Sequence, residues 1–168
     1  MAITHRSQAT CRIQNAPTFS TPLIGGAQTD NVSDRHFDHG TGSDQCDQVY
    51  DASHTIGAGG TLSLDLATGG GLLQPDGSAV AMVKLKSLMI RKTGGTGTFE
   101  VEVPANGILH LAVAGYKTQT FASEGDCYMF ISRAGVTVTA ATADLLQIDE
   151  VGGAATVTVQ VTALGDSA

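Results

Sequence analysis

The chain has 168 residues and a net charge of −7; only 15% of its residues are charged and 5% aromatic, with no tryptophan. Its length suits a single domain with a sizeable core. An acidic balance with no clustered positive face lacks the electrostatic footprint of a nucleic-acid-binding protein, and no run approaches the roughly 20 apolar residues of a membrane helix.

The first ten residues, MAITHRSQAT, lack a basic stretch followed by an apolar core, so no secretory leader is expected and synthesis in the cytosol is. Residues 1–47 contain Pro17 and Pro22, many polar residues and no sustained period. Their apolar residues are isolated: Ile13, Phe19, Leu23, Ile24, Val32 and Phe37. This reads as an extended N-terminal arm with occasional anchors. Such a long stretch without period is unusual inside a compact domain.

From Gln48 the period becomes 2, the signature of strands. Strands are predicted at 49–56 and 61–66. In MVKLKSLMIRK, Val83 and Leu85 alternate with Lys84 and Lys86, and the run then turns apolar on both faces, as in a central strand. TFEVEV sets Phe99, Val101 and Val103 against Thr98, Glu100 and Glu102. After the Pro104–Gly107 punctuation, ILHLAV reads as a strand. DCYMFIS is apolar on both sides and is expected to be buried, with GVTVTA as a separate strand after it. The final hairpin, TADLLQIDEVGGAATVTVQVTALG, places Val157, Val159 and Val161 inside and Thr156, Thr158, Gln160 and Thr162 outside. Its Gly152–Gly153 pair suits a turn with positive φ at both residues. No segment repeats apolar residues at helical spacing with caps. An all-β protein follows: a jelly-roll-like antiparallel β-sandwich over residues 48–168, preceded by the arm over 1–47. The 21 glycines fit its many turns.

Candidate chemistry is sparse. DRHFDHGTGSDQCDQVYD collects His36, Asp38, His39, Asp44, Cys46, Asp47 and Asp51, donor types that bind divalent metals. Their spacing matches neither HExxH nor an EF-hand loop, and a solvated loop has the same composition. The three cysteines, Cys11, Cys46 and Cys127, form no CxxC pair; Cys127 lies in an apolar run and reads as an inert buried thiol. His110 is expected on a strand surface, and Glu100 with Glu102 as a solvated strand face. The glycine groups GAGG, TGGG and TGGTG match no phosphate loop. Lys84, Lys86, Arg91 and Lys92 are the one positive concentration. On a strand, lysines commonly guard an edge; contact with an acidic partner is the sharper alternative. No catalytic, cofactor-binding or metal-binding residue is assigned.

The order of TLSLDL, VKLKSLMIRKTGG, VPANGILHLAVAGY and VTVTAATADLLQIDEVGGAATVTVQVTALG resembles a family of small virion proteins of tailed bacteriophages, the head decoration or cement proteins. The resemblance covers residues 48–165. VPANGIL stands where the family has a PGG turn, IRK replaces IRN, and AGYKTQTFASEGDCYMFISRAG is an insert. The resemblance implies a jelly-roll domain, without enzymatic activity, on the outer capsid surface of the virion. It would bind the major capsid protein, clamp neighbouring capsomers and associate as a homotrimer, with no cofactor. Because jelly rolls also serve as lectins, a carbohydrate-binding module on the virion surface is the alternative; a hydrolase would need a nucleophile beside a base, and none is apparent.

Overall fold

The computed structural model describes residues 7–13, 31–67, 71–108 and 120–168, with side chains from Phe37 onward. Ten strands run in chain order: β1 Ser7–Ile13, β2 Asn31–His39, β3 Gln45–Cys46, β4 Gln48–Ile56, β5 Thr61–Asp65, β6 Lys84–Gly94, β7 Thr98–Glu102, β8 Cys127–Thr137, β9 Leu145–Val151 and β10 Val157–Asp166. There is no helix among the described residues.

The body is a sandwich. One sheet has the order β4-β10-β6-β8 and the other β5-β9-β7, with every pairing in both antiparallel. This interleaving is the jelly-roll order, in which the first and last strands of the body lie side by side in one sheet. At the outer edge of β7, Phe121 bridges Phe99 through a reciprocal pair of backbone hydrogen bonds (2.9 and 3.0 Å). That is the place of the jelly roll's eighth strand. The predicted strand ILHLAV lies, after Ile108, outside the described residues.

Alternation builds the core. On β10, Val157, Val159, Val161 and Ala163 are buried, while Thr158, Gln160 and Thr162 between them are half-buried. They meet Leu88 and Ile90 of β6, and across the sandwich Phe99, Val101, Leu146 and Ile148. With few aromatics, one ring pair anchors this aliphatic core: Phe99 stacks on Phe121 with centroids 4.8 Å apart. Gly152 and Gly153 both take positive φ, +112° and +68°, within a loop over 152–156.

Two expectations for the 126–140 region are corrected. DCYMFIS and the start of GVTVTA, as far as Thr137, form one strand, β8, which bends through a bulge: Ser87 faces Ile131 but Leu85 faces Val136. Gly135 accommodates the bend with φ +78°. DCYMFIS is also not enclosed. It lies at a sheet edge, with Cys127 exposed and Tyr128 to Ile131 half-buried.

The segment read as an arm supplies β1, β2 and β3. β1 pairs antiparallel with β2, from Ser7 facing Phe37 to Ile13 facing Asn31. β2 pairs in parallel with β3. Phe37, expected as an anchor, is buried with Cys46 against Leu164, Val49 and Ile131 of the body.

Candidate functional site

The strand registers lay out the outer face of the four-stranded sheet in rows. Ser53, Gln160, Arg91 and Cys127 form one row, and Asp51, Thr162, Met89 and Met129 the next. The third, Val49, Leu164, Ser87 and Ile131, is the apolar row covered by Phe37 and Cys46. The face is therefore capped at one end by residues 37–46 and open at the other.

What fastens the cap is Lys86. Both neighbours of β6 slip register at this residue, between Leu164 and Gly165 on β10 and between Ile131 and Val136 on β8. Lys86 is the unpaired residue of a bulge, which re-aims its side chain. Its Nζ donates to Gly42 O (2.6 Å) and Gln45 O (2.5 Å) and lies 2.7 Å from Asp166 Oδ2. Lys86 is 1% and Asp166 0% exposed. Apart from this charge contact and Lys84 Nζ at 3.8 Å, the Asp166 carboxylate meets no donor among the described residues. A buried charge pair with this enclosure is tolerated only when its partners are fixed. Here one lysine fixes a loop near the N-terminus and a carboxylate near the C-terminus. The loop is itself tied: Gly42 N donates to Gln45 Oε1 (2.9 Å) and Gln45 N to Gly42 O (3.1 Å). At its surface Asp44, with φ +61°, receives Arg133 through both Nε (2.6 Å) and Nη2, which pushes the guanidinium pKa further up.

The edge-guard expectation for the lysines of β6 is thus corrected. β6 is an interior strand, with β10 on one side and β8 on the other. Lys92 is also buried, its Nζ donating to Ala122 O (2.5 Å). Lys84 donates to Ala168 O (3.0 Å). Of the four, only Arg91 is exposed, so no positive patch forms.

The acidic and histidine-rich stretch is dispersed. Asp47 accepts from Ser167 N (2.9 Å) and Ser167 Oγ (2.5 Å). Asp51 accepts from Gln160 Nε2 (2.5 Å) and Thr162 Oγ1 (2.9 Å). Asp38 and His39 are exposed and Cys46 is enclosed; the side chains of His36 and Cys11, and all of His110, lie outside the described residues. No three His, Cys, Asp or Glu side chains converge as a metal ion requires among the described residues. Cys127 is an exposed, free thiol rather than the buried one expected. Glu100 accepts from Thr120 Oγ1 (2.8 Å), and Glu102 is met by Gln147 Nε2 (3.4 Å).

Two further polar groups went unread in the sequence. Tyr50 Oη lies 2.7 Å from His54 Nε2. Burial, with the neighbouring Asp51 charge, pushes the Tyr50 phenol up, and burial pushes the His54 imidazole down. Glu150, 6% exposed, accepts from Gly59 N (2.5 Å) and Gly153 N (3.1 Å) and so joins two loops at one end of the sandwich. The sequence signal for each was a polar residue at a core position of the period-2 pattern. No protein-family model and no curated protein matches this chain.

Proposed function

We propose that this chain is a structural, non-enzymatic virion protein of the tailed-phage decoration class. It binds the outer surface of an icosahedral capsid, contacts the major capsid protein and clamps neighbouring capsomers as a homotrimer. One observation carries the reading. The segments on which the family resemblance rests include the strands that make the sheet centres: VKLKSLMIRK spans β6, and ADLLQIDEV and TVTVQVTALG span β9 and β10, while TLSLDL spans β5 at the edge beside β9. β9 is the middle strand of its sheet, and β10 and β6 are the middle strands of the other. The shared pattern is thus the frame of the body rather than a scatter of turns.

The disposition of charged groups supports the same reading. Lys86, Lys92 and Glu150 spend their hydrogen bonds on backbone groups of loops, which stiffens the body. Such a body suits a protein whose task is to hold a surface; fold alone does not assign it. Purified protein is expected to co-sediment with capsids assembled without decoration protein and to saturate at a fixed stoichiometry. Failure to bind intact shells refutes the proposal, and binding to a glycan array instead would favour the carbohydrate reading.

A further inference from the structure

The body has four strand edges, and three are defended. On β4, the outward N–H of Val49 is taken by Gln74 Oε1 (3.1 Å). β7 is bridged by Phe121, and β5 is short, at five residues. The fourth, β8, pairs with β6 and with no other strand among the described residues. Its straight part runs from Cys127, after the turn at 123–126, to Ile131, before the bulge. That part is CYMFI, without lysine, proline or any charge, the usual defences of an edge.

Its geometry is also self-complementary. Lys92 N donates to Asp126 O (2.9 Å), which sets the phase of the β6–β8 ladder. Tyr128 and Phe130 therefore turn their backbone groups toward β6, and Cys127, Met129 and Ile131 turn theirs toward the open edge. The segment's midpoint is Met129. We propose that this edge pairs antiparallel with β8 of a second copy of the chain about a twofold axis at Met129. Met129 then faces its own counterpart and Cys127 faces Ile131, each facing pair exchanging two hydrogen bonds. Tyr128 faces Phe130 across the join. Both already pack against the core, so the pairing extends the core from one copy into the next through an aromatic cross-strand pair. A twofold contact of this kind is isologous; added to the proposed trimer, it joins one trimer to another.

Sedimentation equilibrium of the full chain, with Met129→Lys as the variant, tests the pairing. Met129 is half-buried on the outer face, where a lysine stem is accommodated in a single copy but two lysines face each other across the axis. The wild type is expected at an even number of copies, and the variant at half that mass with an unchanged far-UV spectrum. Amide exchange in the wild type provides a readout independent of the variant's folding. The amides of Cys127, Met129 and Ile131 should become at least tenfold more protected as concentration rises, while those of Tyr128 and Phe130 stay constant. A wild-type monomer or trimer, an assembly whose mass is unchanged by Met129→Lys, or unprotected amides at Cys127, Met129 and Ile131 overturns the pairing. Capsid co-sedimentation is a separate measurement, so either reading can fail without the other.

Discussion

Replacing Lys86 by methionine keeps much of the side chain's length and removes its charge. Three partners lose their contact: Gly42 O, Gln45 O and the Asp166 carboxylate. The carbonyls belong to a loop at the surface and regain some water. Asp166, 0% exposed, does not, and its nearest remaining cation is Lys84 at 3.8 Å. Breaking a buried ion pair from one side costs about 3–5 kcal/mol. At about 2–4 °C per kcal/mol for a chain of this size, Tm should fall by roughly 6–20 °C. Lys86→Met combined with Asp166→Leu removes the orphaned charge and should recover most of the loss, because an apolar pair often replaces a buried ion pair without cost. The remaining deficit is that of two carbonyls without their donor, about 1 kcal/mol each. Urea unfolding followed by far-UV circular dichroism, at constant m value, measures all three proteins. A single-variant loss below about 1 kcal/mol, or a double variant no more stable than the single, refutes the assigned role of the junction.

Two other outcomes follow from local geometry. His54 is held below its ordinary value of 6.5 by burial, so the unfolded chain binds its proton first. Its contribution to stability is present above about pH 6.5 and is lost as pH falls through the lower folded value. His54→Gln should flatten the stability profile over that window in urea titrations; equal slopes for both proteins contradict it. A Cβ on Gly165 would sit 2.3 Å from Lys84 O and 2.8 Å from Met82 Sδ, whereas one on Gly57 meets nothing within 4 Å. Gly165→Ala should therefore cost about 1–3 kcal/mol and Gly57→Ala stay within about 0.5 kcal/mol of wild type or gain slightly; equal Tm values for the two variants would disprove the close approach at Gly165.

The body strands were legible because burial on one face imposes a period of 2, and β10 displays it without interruption from Val157 to Ala163. Edge and centre were not legible. DCYMFIS has the composition of an interior strand, yet what encloses a strand is its neighbours, and among the described residues β8 has one. Lys86 was misread for a related reason. Alternation places Lys84 and Lys86 on the same face, but a bulge at Lys86 breaks the alternation where the sequence shows no glycine or proline to announce it. Its partner Asp166 is 80 positions away in sequence and carries no signal of its own. The acidic and histidine-rich stretch misled in the opposite direction: proximity in sequence suggested convergence, while β3, β4 and the loop before them turn Asp44, Asp47 and Asp51 toward different partners.

β4 and β10 run antiparallel with Gln48 facing Gly165, so the chain enters and leaves the body at the same end of one ladder. A load applied between the N-terminal segment and the C-terminus would peel β4 from β10 rung by rung, since hydrogen bonds pulled in sequence yield more easily than bonds sheared together. The first rung to open is the one beside Asp47–Ser167 and Lys86–Asp166. Peeling has to begin at the most heavily reinforced point of the ladder, and that single junction sets the force at which the body gives way.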